Sequence, residues 1–117
     1  MTIERIGLAA RYCDAAIFNG IVFLAGHVAE KTEGASLTEQ TEEVLALLED
    51  TLVQDGSRKE RILSVQIFLT DISKIGEMNA VWDKWVAKGH SPARATVEAK
   101  LASPGYAIEI TAVAAKG

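Results

Sequence analysis

The chain has 117 residues, 49% of them hydrophobic and 24% charged, with a formal net charge of −4 at pH 7. A chain of this length buries roughly 65% of its unfolded surface in one core, so residues 1–117 are expected to form a single domain, and the acid excess with scattered Lys and Arg offers no basic patch for nucleic-acid phosphates. The single cysteine, Cys13, excludes an intrachain disulfide, and no leader-like start or apolar run of about 20 residues is present, so a cytoplasmic protein with no membrane partner is expected.

In chain order, Thr2 to Ile6 alternates weakly and reads as a short edge strand. Ala15 to Ala25 is the clearest local signal: Asn19-Gly20 between two apolar runs supplies the positive backbone angles of a two-residue hairpin turn. Gly26 and His27 end that hairpin, and Ala29 to Ala35 reads as a loop. Ser36-Leu37-Thr38-Glu39 is a capping box opening a helix whose stripe is Leu37, Val44, Leu45, Leu48, Thr51 and Leu52, with Gly56 as its stop. Its glutamates lie on the outer arc without a histidine in register, so no metal site is expected. Arg61 to Thr70 reads as an internal strand with both faces largely covered. Asp71 or Ser73 caps a second helix with Ile75, Met78, Val81, Trp82 and Trp85 inward and Gly89 at its end. The two tryptophans read as core anchors.

Two strands close the chain, Ser91 to Leu101 and Ala107 to Ala114, joined by Ala102-Ser103-Pro104-Gly105-Tyr106. A tight hairpin between them with Leu101 opposite Tyr106 would set Glu98 against Glu109, a destabilising like-charge pair. The Arg61 to Thr70 strand is therefore expected between them. Glu109 stands in an apolar run, where a buried carboxylate needs a partner or a proton. Strand alternation gives it a second reading, on a solvated face with Thr111 while Ile108, Ile110 and Ala112 face the core. Two helices on one sheet face leave the other face open, and so large an apolar patch predicts self-association.

Pro92-Ala93-Arg94, then Val97-Glu98, a proline-containing turn and Ile108-Glu109-Ile110 resemble the C-terminal signature of the RidA/YjgF family of reactive-intermediate deaminases, with the Arg94 to Glu109 interval kept without a gap. The resemblance implies an α/β (α+β) fold, chorismate-mutase-like, with a single mixed six-stranded sheet, two helices on one face, and a homotrimer whose clefts lie between subunits. It implies hydrolysis of enamines and imines to 2-keto acids and ammonia, with a small imino or keto acid as ligand and no metal or cofactor. Arg94 falls on the arginine that grips the substrate carboxylate, a task for paired guanidinium donors, and Glu109 on the glutamate that directs water. Tyr12 matches a tyrosine at the pocket mouth and Asn79 a helix-borne asparagine near the cleft.

Three departures bear on activity. Ala25 stands where the best-studied branch has a serine, Thr96 where it has a cysteine, and Ala10-Arg11 precedes Tyr12 in place of Gly-Pro. They motivate a rival expectation, a non-catalytic trimer that binds small carboxylates or regulates a partner. Cys13 reads as a small core residue, and His27 and His90 have no recognisable triad partner.

Overall fold

The computed structural model describes residues 2–117. Asn19 and Gly20 have φ of 53° and 77°, the paired left-handed geometry that a type I′ turn demands. They join β2 (Ala15–Phe18) to β3 (Ile21–Leu24), and β1 (Glu4–Ile6) pairs with β2 at the sheet edge, as expected. The helix α1 (Leu37–Gln54) starts where Ser36 Oγ accepts the Glu39 amide at 3.2 Å, and ends before Gly56, whose φ of 84° breaks it. Leu37, Val44, Leu45, Leu48 and Leu52 are buried. Gln40 and Thr41 are buried with them, each with its side chain hydrogen-bonded to backbone.

The helix α2 (Ile75–Trp85) is entered through a single 3-10 turn at Ile72–Lys74, which Asp71 caps by accepting the Ser73 amide. It stops four residues short of Gly89, where the sequence placed its end. Lys59 Nζ donates to the Trp85 carbonyl at 2.7 Å, satisfying one of the orphan groups of the last turn. Met78 and Trp82 are buried and Trp85 half-buried, so the inward stripe is as expected.

β5 (Ile62–Leu69) is paired in parallel with β6 (Ala93–Glu98) and antiparallel with β7 (Ile108–Ala115). Its place between the last two strands separates Glu98 from Glu109, as the like-charge argument anticipates. The strand order is β1-β2-β3-β7-β5-β6. A seventh strand, β4 (His27–Val28), pairs with β7 through His27↔Ile110 and Val28↔Glu109, so the expected six strands become seven. Two residues are too few for a periodic pattern to register.

Alternation divides the sheet. Val22, Leu24, Val65, Ile67, Leu69, Ile108, Ile110, Ala112 and Ala114 are buried and join the helices in one core. The other face is uncovered, which corrects the reading of β5 as covered on both sides: Gln66 is exposed, and on neighbouring strands Phe18, Phe23 and Val97 are 41%, 50% and 47% exposed. Glu109 and Thr111 lie half-buried on this open face, matching the alternating reading of β7.

Candidate functional site

Register decides where the two key side chains go. Arg94 pairs with Val65, which pairs with Ala112, so it projects on the helix side of edge strand β6. Its guanidinium lies 5.3 Å from the Trp82 ring centroid, a cation–π arrangement that holds the side chain over α2 while leaving it exposed. Thr96, two residues on, faces the same way, and its Oγ1 is buried without a hydrogen-bond partner. Asn79 is half-buried, one turn before Trp82 on α2. Arg94 thus meets the Trp82 indole on the strand face it shares with Thr96.

Glu109 belongs elsewhere. It pairs with Phe68, and Phe68 with Val97, all on the open face. Across the ladder Arg94 and Glu109 are two strands apart, about 10 Å, and offset by three residues, about 10 Å more. They also face opposite sides of the sheet. One chain does not bring them together.

What Glu109 does meet is the β3–β4 connection. A Cβ at Gly26 would collide with the Glu109 carboxylate, so this glycine permits close approach of backbone to acid. Ala25 and Gly26 line a cleft of about 390 Å³ together with Tyr12, Asp14, His27 and Asp55. Tyr12 is 63% exposed at its mouth. Ala25 is held by its amide, which donates to the Asp14 carbonyl at 2.9 Å.

His27 fixes the same turn to α1. Its Nδ1 is 2.9 Å from the Ala25 carbonyl and its Nε2 is 3.0 Å from Thr51 Oγ1. A carbonyl only accepts, so Nδ1 carries a hydrogen. Thr51 Oγ1 lies 2.9 Å from the Leu47 carbonyl. It can donate there while accepting from Nε2–H, or turn and donate to a neutral Nε2.

Asp55, at the end of α1, is 6% exposed, and its Oδ2 is buried without a hydrogen-bond partner. Burial, with the nearby Asp14 charge adding to it, pushes its carboxyl above the ordinary aspartate value, while His27 pulls in the opposite direction. Sequence reasoning placed Thr51 on the apolar stripe and passed over Asp14 and Asp55. The available signal was the spacing of Thr51 and Asp55 one helical turn apart, two polar residues continuing a buried stripe. Cys13 is half-buried and free, and His90 is exposed with Nδ1 bonded to the Lys88 carbonyl. Among the described residues, no group of three or more His, Cys, Asp or Glu is arranged to hold a metal ion. No described helix is long and apolar enough to cross a membrane.

Residues 2–116 match the family model described as endoribonuclease L-PSP. The chain belongs to the YjgF/RidA family. A RutC family protein of Haemophilus influenzae is 45% identical over 114 residues, covering 97% of this chain and 98% of the relative. The RutC family protein YoaB of Escherichia coli is 44% identical over 115 residues, covering 98% and 99%. The crystal structure of NMB1025, a YjgF family member from Neisseria meningitidis, superposes with a TM-score of 0.95 at 44% identity, covering 100% of this chain and 97% of that one. The mixed sheet with two helices on one face is thus the YjgF-family architecture.

Proposed function

We propose that this YjgF/RidA-family chain is a single-domain cytoplasmic hydrolase of reactive imines and enamines, assembled as a homotrimer with a cleft at each subunit boundary. The observation that carries the reading is the division of the site. A free arginine stacked on Trp82 lies at the β6 edge, and a half-buried carboxylate packed on Gly26 lies on the open face, and neither is complete alone. A cyclic, head-to-tail contact joins two different surface patches of one subunit, which is the arrangement that sets one copy's Arg94 beside the next copy's Glu109. The apolar open face with Phe18, Phe23 and Val97 gives such a contact its driving force.

In this reading Arg94 holds the substrate carboxylate through paired N–H donors. Glu109 accepts a proton from water as its oxygen adds to the imine carbon, and the imine nitrogen is protonated. Collapse of the carbinolamine expels ammonia and leaves the 2-keto acid, with one water consumed. Tyr12 and the Ala25-Gly26 backbone shape the mouth, and Asn79 and Thr96 flank the arginine. RNA cleavage fits poorly, because a cleft walled by Asp14, Glu30 and Asp55 repels phosphates.

The test generates imino acids in situ with an amino-acid oxidase and follows their decay. Glu109→Gln is expected to lose about 10²–10⁴-fold in rate, the range for a general base, and Arg94→Ala to raise KM. Sedimentation should give a trimer. Equal decay with wild type and both variants, or a monomer at micromolar concentration, would overturn the proposal. The rival, a trimer that binds small carboxylates without turnover, is favoured by Ala25, which brings no hydroxyl to the cleft. Saturation by 2-keto acids without imine hydrolysis would select it.

A further inference from the structure

The cleft beneath Tyr12 has a charge pattern that hydrolysis of a plain aliphatic imine does not use. Its charged lining is Asp14, Glu30 and Asp55, with neither lysine nor arginine among the lining residues. His27 does not neutralise them by direct contact, since both ring nitrogens are engaged by Ala25 and Thr51. From the adjoining groove Glu4 and Lys116 act on Asp55 with opposite signs.

Asp55 is the second and independent observation. A carboxylate this deeply buried is normally paired or fully hydrogen-bonded. Here the hydroxyl of Thr51, one turn earlier on α1, is committed to Leu47 and His27, and no side chain or backbone donor among the described residues reaches Asp55 Oδ2. A shielded carboxylate oxygen without a donor, on a residue that lines an acidic cleft, is complementary to an N–H donor bearing positive charge. The volume, about 390 Å³, lies within the range of small-molecule sites, roughly 300–1,000 Å³.

We propose that the cleft walled by Asp14, Glu30 and Asp55 binds a primary ammonium group, so that the preferred ligands are small molecules with a positively charged side chain. Resting on the imine-hydrolase reading, the corresponding substrates are imino acids derived from basic amino acids, with the carboxylate toward a neighbour's Arg94 and the distal ammonium toward Asp55. Ala25, small where a serine hydroxyl is expected, leaves room for the methylene chain between the two ends. Arrival of the ammonium stabilises ionised Asp55, so binding releases protons where that carboxyl is still protonated.

The binding arm needs no turnover. n-Butylammonium and its neutral analogue n-butanol are titrated into the intact protein by NMR, following the Ala25, Gly26 and Asp55 amides. The expected result is saturable binding of the ammonium only, weakened more than threefold between 50 and 500 mM NaCl and at least tenfold by Asp55→Asn. Asp14→Asn serves as the second variant should Asp55→Asn fold poorly, and the same direction is expected. Equal binding of the alcohol, no salt dependence, or an unchanged affinity in both variants would overturn the proposal. The turnover arm compares imines made from 2,4-diaminobutyrate, whose distal amine is too close to cyclise onto the imine carbon, and from leucine. A kcat/KM preference for the 2,4-diaminobutyrate product that Asp55→Asn reduces tenfold supports the specificity. A preference for the leucine product refutes it, even with the hydrolase intact. Absence of hydrolysis for every imine would defeat the hydrolase reading and leave the binding arm to decide this one.

Discussion

Replacing Gln40 by leucine tests how the strand carrying Glu109 is held. Gln40 is 1% exposed on α1, and its Nε2 donates to the Ala35 and Gly105 carbonyls at 3.0 and 2.9 Å, while Oε1 accepts the Ala107 amide at 2.9 Å. These bonds fasten the helix start to the turn that leads into β7, two residues before Glu109. Leucine fills the space but leaves the three backbone groups unequal. The Gly105 carbonyl keeps the Gly34 amide at 2.9 Å, so its loss is small. The Ala107 amide loses the partner that Oε1 supplies, at a cost of about 1–3 kcal/mol for an unsatisfied buried donor, and the two carbonyls lose about 0.5–1 kcal/mol each. Added apolar burial returns part of this, which leaves about 2–3 kcal/mol.

Urea unfolding at fixed protein concentration reads that cost, and with a slope of about 1.5 kcal/mol/M the midpoint should fall by roughly 1.3–2 M with the slope unchanged. Gln40→Glu is expected to be worse at neutral pH. Its carboxylate still accepts from Ala107 but sets a buried negative charge against two carbonyls that need donors. A leucine variant within 0.5 kcal/mol of wild type, or a glutamate variant more stable than the leucine one, would refute the reasoning.

Two further outcomes follow from the geometry. Glu43 accepts the Thr32 hydroxyl and the Lys31, Thr32 and Glu30 amides, and its pKa falls from 4.5 to about 2, with the Thr32 hydroxyl the largest cause. A depressed folded-state pKa means that this stabilisation is complete above the unfolded value and lost as pH falls from about 4.5 toward 2, so Glu43→Gln should differ from wild type in thermal unfolding at pH 7 and converge with it near pH 2. Gly26→Ala forces the flexible Glu109 carboxylate to shift while the backbone angle remains permissible, so imine turnover should fall about tenfold to a hundredfold with a melting temperature within a few degrees of wild type.

Local chemistry made much of the fold legible before any coordinates. The Asn19-Gly20 turn, the Ser36 cap and the Gly56 stop are each decided by one or two residues, and each is where the sequence puts it. The placement of β5 between β6 and β7 is a long-range feature, yet it follows from keeping Glu98 and Glu109 apart. What escaped has a common cause. β4 exists because β7 offers it a partner, and the α2 boundary depends on Lys59, sixteen residues before the helix begins. Neither leaves a periodic trace in its own segment. The cluster of Asp14, His27, Thr51 and Asp55 was hidden likewise, since three separate stretches of chain supply it.

The site poses a sharper version of the same problem. Motif spacing selects Arg94 and Glu109, but spacing along a chain is indifferent to which sheet face a residue occupies. Register is not indifferent: Arg94 shares its face with Val65 and Ala112, Glu109 with Phe68 and Val97. A substrate carboxylate held at the first cannot meet a water held at the second across the thickness of a packed sheet, because the intervening layer is hydrocarbon. The motif and the register can both serve catalysis only where one chain's edge strand meets another chain's open face. A mixture of Arg94→Ala and Glu109→Gln subunits therefore separates the possibilities. If each cleft draws the two residues from different chains, randomly mixed trimers regain some intact clefts, and activity should return to a sizeable fraction of wild type. If both residues came from one chain, every cleft in every mixture would carry a lesion and no activity would return.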